Sequence, residues 1–230
     1  AKLRGEHRWS FEELLEAVRE AGDAGPQTLV FLSRPKFAPN VGLVLRQARV
    51  LQAPGAEDSV AAVLLSGVGT AEGEGDGDGG REVSEKFVKN VLRISQAGRH
   101  AVRAGPQTRL VSLPSGDAAS ALRALRGEGF AIAALENREA CDETPGAAPI
   151  LPLWDAPLAQ RRRLLFLAGG EDASLSRELL RCADFQCFVP GVGCDLAPGA
   201  AARRELRQAG INPTLNVAHA VVVALYERRR

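Results

Sequence analysis

Thr28-Leu29-Val30-Phe31-Leu32, followed a few residues later by Asn40-Val41-Gly42-Leu43-Val44-Leu45-Arg46, is the stretch on which the fold turns. The first run is short, continuous and apolar, which is the pattern of a strand buried on both faces. In the second, Val44, Leu45, Ala48 and Leu51 share one helical face and predict a helix from about Val41 to Leu51. Parallel strands need a crossover connection, most often a helix. A doubly buried strand running into an amphipathic helix is therefore the unit of a parallel sheet.

The same unit recurs outward from this stretch. Upstream, Ser10-Phe11-Glu12-Glu13 reads as a capping box, in which serine and glutamate each satisfy a free amide of the other's segment. Leu14, Leu15 and Val18 supply the stripe of a helix that ends near Ala21-Gly22, and Gly25-Pro26 breaks the chain. Downstream, strands are predicted at Val60–Leu65, Arg109–Leu113, Phe130–Leu135, Arg163–Ala168 and Phe185–Val189. Helices are predicted at Glu85–Gln96, Ala118–Arg126, Leu175–Arg181 and Leu215–Arg228. The alternation implies an α/β fold, a mainly parallel sheet with helices on both faces. Such sheets bind ligands at the carboxyl ends of their strands. The loops carrying Asn40, Gly169 to Ser174 and Pro190 to Thr214 thus become candidates for one shared site.

Composition narrows the classes. The 230 residues are 45% hydrophobic and 25% charged, as in a soluble globular protein, and no apolar run is long enough to span a bilayer. No secretory signal is visible, and cytoplasm or an organelle matrix fits. Methionine is absent even at position 1, so a chain processed, trimmed or cut from something longer is expected. The net charge of +1 gives no global drive toward nucleic acid. Local basic clusters do occur, at Arg161-Arg162-Arg163, at Arg203-Arg204 with Arg207, and at Arg228-Arg229-Arg230; each reads either as a solvated surface or as a phosphate contact. Cys141, Cys182, Cys187 and Cys194 form no CxxC pair and the histidines are scattered, so no metal site is expected, and buried or inert thiols in a reducing compartment are the better account.

Two segments look inserted. Residues 71–82 hold an acidic, glycine-rich run whose composition resembles a calcium loop, but Gly80 and Arg81 fall where a ligand and the turn glycine should be. Residues 194–211 separate Val189-Pro190-Gly191-Val192-Gly193 from Asn212-Pro213-Thr214. Gly67-Val68-Gly69 follows a strand but lacks the third glycine of a dinucleotide loop, and neither a Walker A loop nor a Gly-x-Ser-x-Gly elbow is present.

Three separated motifs remain. Asn40, Gly42 and Arg46 make Asn-x-Gly-x-x-x-Arg. Gly169, Gly170, Glu171 and Leu175 make a glycine-rich acidic loop after a late strand. Val189-Pro190 is followed by Thr214-Leu215-Asn216-Val217-Ala218-His219-Ala220. In this order they resemble the three motifs of the SpoU/TrmH branch of the SPOUT RNA methyltransferases, over roughly Gln27 to Arg228. Asp172 and Ser174 stand where that pattern has glycines, and Ala218 where it has serine.

The resemblance implies a methyltransferase domain over 26–230, preceded by a helical extension at 1–25, with a C-terminal trefoil knot and a homodimeric assembly whose site lies near the subunit boundary. It implies S-adenosyl-L-methionine as cofactor and methyl transfer to a ribose 2′-hydroxyl of tRNA or rRNA. The cofactor site it implies is Leu167, Ala168, Gly169, Gly170, Val189, Pro190, Gly191, Thr214 and Leu215. Arg46, Asn40, Glu171 and Asn216 become the candidate catalytic residues, and Arg46, Arg203, Arg204 and Arg207 the candidate RNA contacts. Free guanidinium has a pKa of about 12.5 or higher, so orienting the hydroxyl and stabilising a developing alkoxide suit Arg46 better than acting as a base. On local grounds alone Asn40 and Asn216 could be helix caps, Arg46 a surface residue, and Glu171 and Ser174 partners of the next helix's amino end. Two further functions compete: a SPOUT-fold RNA-binding or ribosome-associated protein that has lost catalysis, motivated by Asp172, Ser174 and Ala218, and an unrelated α/β enzyme.

Overall fold

The computed structural model describes residues 8–22, 27–50, 61–67, 83–95, 108–113, 117–171, 174–190 and 215–230. Among these residues eight strands form one sheet, and every pairing in it is parallel. In chain order they are β1 (Arg8–Trp9), β2 (Gln27–Ser33), β3 (Ala61–Ser66), β4 (Arg109–Leu113), β5 (Ala131–Leu135), β6 (Ile150–Pro152), β7 (Arg163–Ala168) and β8 (Phe185–Phe188). Their spatial order is β1-β4-β3-β2-β7-β5-β8-β6. β2, the opening strand of the sequence reading, lies near the middle, between β3 and β7.

Side-chain alternation along these strands splits the core in two. Val30 and Leu32 of β2 join one cluster, and Leu29 and Phe31 the other. The first cluster is covered by α2 (Ala38–Val50), α3 (Glu85–Ser95) and α6 (Val217–Arg229). The second is covered by α1 (Phe11–Ala21), α4 (Ala118–Gly127) and the short α5 (Arg177–Leu180). Both faces are thus dry, which is why the strands read as apolar runs rather than alternating ones.

The capping box forms as expected: Glu13 N–H donates to Ser10 Oγ at 3.2 Å, and Ser10 N–H to Glu13 Oε2 at 2.6 Å. Leu14 and Val18 of α1 enter the same cluster as β3 and β4, and Arg8–Trp9 pairs with β4. β1 and β6 were absent from the sequence reading, because two- and three-residue strands carry no measurable periodicity.

Three boundaries differ for identifiable reasons. Helix α2 begins at Ala38, not Val41, so Asn40 lies inside its first turn; Pro39 is tolerated there because early helical amides have no intrahelical partner anyway. Helix α5 begins after Ser176, which is extended (φ −64°, ψ 154°) and accepts from Leu179 N–H at 3.3 Å. Helix α6 begins at Val217, because Asn216 is its cap and accepts from Ala218 N–H at 2.9 Å. No helix among the described residues is long and apolar enough to cross a membrane.

Candidate functional site

The register of the strands brings the motif loops to one edge. Leu32 of β2 pairs with Ala168 of β7, Leu135 of β5 also pairs with Ala168, and Leu135 pairs with Cys187 of β8. The chain therefore leaves the sheet side by side at Arg34, Glu136, Gly169 and Val189. Leu167 and Ala168 are buried in opposite core clusters, which leaves their backbone to the edge.

Glu171 ties two of the motifs together. Its Oε2 accepts from Lys36 N–H at 2.7 Å, and its Oε1 from Phe37 N–H at 3.3 Å and from Asn40 Nδ2 at 2.6 Å. Helix α2 has no acidic residue in its own first turn. A carboxylate from the β7 loop occupies that end instead, where the helix dipole favours negative charge. Asn40 is consequently not a cap; it hands its amide to Glu171. Neither Arg46 nor Asn216 is among the groups the Glu171 carboxylate holds.

The glycines are packing requirements. A Cβ on Gly170 would lie 2.4 Å from the carbonyl oxygen of Arg34, so the β7 loop and the β2 exit touch backbone to backbone. A Cβ on Gly42 would lie 2.7 Å from Ile94 Cγ2 and 3.1 Å from the Val91 carbonyl oxygen, so Gly42 lets α2 and α3 cross closely.

Arg46 stands apart. It is exposed, and six residues beyond Asn40 it lies roughly 120° away around the helix, at 3.6 residues per turn. Asn216 and Leu215 are exposed at the head of α6, whose Ala218, Val221, Ala224 and Leu225 are buried against the first cluster. Ala218 supplies only its backbone N–H to the cap, a service that alanine performs as well as serine. Val189 and Pro190 are half-buried just past β8. Gly191, Thr214, Arg203, Arg204 and Arg207, together with Asp172 and both inserts, lie outside the described residues.

Two groups at this edge escaped the sequence reading. Glu136 follows β5, and one carboxylate oxygen accepts from Leu175 N–H in the second motif, the other from Asn137 N–H at 3.3 Å. Burial pushes its carboxyl above the usual range, against those two hydrogen bonds. The available signal was an acid immediately after an apolar strand, at the end where such sheets bind ligands. Arg34 is the other, with φ +53°.

Cys141, Cys182 and Cys187 are free thiols. Burial raises Cys141 to about 11 and Cys187 to about 12, so neither is a thiolate at neutral pH. Among the described residues no group of three His, Cys, Asp or Glu side chains is placed to hold a metal ion.

No family model and no curated protein matches the sequence. Solved structures do match. An rRNA methyltransferase from Sinorhizobium meliloti superposes with a TM-score of 0.56 at 17% identity, covering 98% of this chain and 61% of its own. The SpoU methyltransferase AviRb from Streptomyces viridochromogenes, in complex with AdoMet, gives 0.53 at 18% identity, over 89% and 60%. The A. aeolicus TrmH/SpoU tRNA modifying enzyme gives 0.50 at 16% identity, over 96% and 83%. The chain spans about three fifths of the first two. With a single parallel sheet, helices on both faces and the motif loops gathered at its carboxyl edge, the chain has the fold of the SpoU/TrmH-type RNA methyltransferases.

Proposed function

We propose that the protein is an S-adenosyl-L-methionine-dependent RNA methyltransferase that transfers a methyl group to a ribose 2′-hydroxyl of tRNA or rRNA. The observation that carries this is the Glu171 carboxylate gripping Asn40 and the amides before α2, which makes one site of two motifs 131 residues apart in sequence. The glycine-containing β7 exit suits the cofactor, because a loop without side chains at Gly169 and Gly170 lets backbone amides and carbonyls read an adenine edge. Gly169, Gly170, Val189, Pro190, Gly191, Thr214 and Leu215 are the residues assigned to hold it. When bound, S-adenosylmethionine supplies an electrophilic methyl group.

The protein's part is positional and electrostatic. Asn40, fixed by Glu171, holds the loop that faces the ribose. Arg46 orients the 2′-hydroxyl and stabilises negative charge developing on its oxygen. Asn216 sets the entry of α6 and with it the Leu215 wall. Arg203, Arg204 and Arg207 are assigned to RNA phosphates. A homodimer belongs to the same proposal. Its support is that Arg46 on α2 and Val223 and Tyr226 on α6 are exposed on helices that pack together, so a second copy would cover apolar surface and bring a partner toward Arg46. A trefoil knot after β7 is proposed with it, since α6 returns from β8 to pack on β7 and α2. The second reading, a fold that binds RNA without catalysis, keeps its motive in Asp172 and Ser174.

Titration calorimetry with S-adenosylmethionine separates the two. Micromolar binding is expected, and a folded protein with no measurable binding overturns the enzyme. Transfer to bulk tRNA and rRNA followed by ribose mapping then tests the acceptor; a methyl group on a base overturns the 2′-hydroxyl. Arg46→Ala should lower transfer at least 100-fold with cofactor affinity unchanged within twofold, and undiminished turnover would remove Arg46 from the mechanism.

A further inference from the structure

Arg34 directly follows β2 and is the only non-glycine among the described residues in the left-handed region, at φ +53°. It also precedes Pro35, and a residue before proline is normally extended. Such a conformation persists only where its surroundings impose it, and it concentrates at ligand-binding sites. Two contacts impose it here. Arg34 N–H donates to the Ser66 carbonyl at 2.9 Å, and the Arg34 carbonyl is pressed by Gly170, where a Cβ would come within 2.4 Å. Arg34 is thereby pinned to the exits of both neighbouring strands, β3 and β7.

Its side chain is held but unsatisfied. Nε is sealed from solvent without a hydrogen-bond partner, and the guanidinium has no ion-pair partner among the described residues. The nearby carboxylate of Glu171 is occupied by Lys36 N–H, Phe37 N–H and Asn40. Other half-buried arginines, Arg163 and Arg228, are filled by backbone carbonyls. With Nε sealed, the terminal guanidinium nitrogens of this strained, doubly anchored residue are the donors left for a ligand's acceptor.

We infer that Arg34 binds an oxyanion at this edge. Its fork matches a phosphodiester of the RNA beside the methylated ribose, and the carboxylate of the methyl donor offers the same chemistry. This rests on the proposed methyltransferase function, and the test separates the two. Glycine adopts φ +53° without strain, so Arg34→Gly should melt at or above the wild-type temperature. Arg34→Asn, which also tolerates left-handed backbone, serves the same purpose if glycine loosens the loop. Affinity is measured for S-adenosylmethionine by calorimetry, and for bulk tRNA and rRNA by filter binding over a potassium chloride series. A loss of tenfold or more is expected in one arm. In the RNA arm the log–log salt slope should also fall by about 0.7–0.9, the signature of one lost phosphate contact, which a purely structural residue would not move. A loss in the cofactor arm alone assigns the carboxylate. Both affinities within twofold of wild type overturn Arg34 while leaving the methyltransferase standing; a wild type that binds neither ligand overturns both.

Discussion

The two ends of the sheet use arginine in opposite ways. At the amino end, Arg228 of α6 makes five hydrogen bonds, to Thr28 Oγ1 and to the carbonyls of Leu158, Arg161, Gln27 and Arg162. Arg163 there bonds the carbonyls of Glu128, Val18 and Gly22, and its guanidinium stands 5.9 Å from the Phe130 ring centroid. At the carboxyl end, Arg34 has no such partners among the described residues. A guanidinium whose donors are spent on backbone carbonyls locks elements together and has little left for a ligand. One held in place with donors open is suited to recognition. The difference teaches where stability and function reside: the amino edge closes the fold, and the carboxyl edge presents chemistry.

The largest expected effect tests that division directly. Arg228→Ala removes five charge-assisted hydrogen bonds, although the Arg162 and Leu158 carbonyls keep a backbone N–H, and should destabilise by about 2–4 kcal/mol in urea denaturation. Burial draws the Arg228 guanidinium down only to about 10, so it is still charged at neutral pH and the bonds it makes are charge-assisted. Cofactor affinity of the folded variant should not change; a loss there would join the two edges into one functional unit.

Glu171→Gln is the counterpart at the other edge. The amide cannot accept from Lys36 N–H, Phe37 N–H and Asn40 together, and its own NH2 opposes one of those donors. A loss of about 1–2 kcal/mol is expected, with methyl transfer reduced at least tenfold. Full transfer at reduced stability would make Glu171 a helix anchor only.

The smallest effect lies beneath the carboxyl-edge loops, where the thiols belong to the fold. Cys141 and Cys187 are raised by burial to about 11 and about 12, while the unfolded chain's thiols ionise near the ordinary value of about 8.5. The native state therefore keeps protons that the unfolded state loses. Their contribution is fully present below that ordinary value and is lost as pH rises toward 11 and 12. Between pH 9 and 10 stability should fall by up to about 1.4 kcal/mol through Cys187 and by less through the less deeply buried Cys141, and Cys187→Ala should flatten the slope. A slope unchanged in that variant would show that the thiol is open to solvent in solution.

Much of this was legible beforehand. The strands β2, β3, β4, β5, β7 and β8 announce themselves as apolar runs because they are buried on both faces. The capping box at Ser10 forms because its partners are three residues apart. Glu136 and Arg34 were not legible. An acid after a strand and an arginine before a proline are ordinary in sequence, and Pro35 even argues for extended backbone at Arg34. What makes them notable is a neighbour far along the chain: Leu175 N–H for Glu136, and Ser66 and Gly170 for Arg34. The motif glycines were visible, but their reasons were not; Gly42 answers to Ile94 and Gly170 to Arg34.

By itself, then, the sequence determined a parallel α/β sheet, its two apolar faces, and three motifs of a shared type. Those follow from local pattern, because burial on both faces and helix capping are set by residues close in the chain. Only the tertiary structure decided that Glu171 grips Asn40 rather than Arg46, and that Arg34 is held in a left-handed turn. Each of those depends on the order β3-β2-β7-β5 in the sheet, which sets distant loops side by side, and no periodicity within one segment encodes which strands will be neighbours.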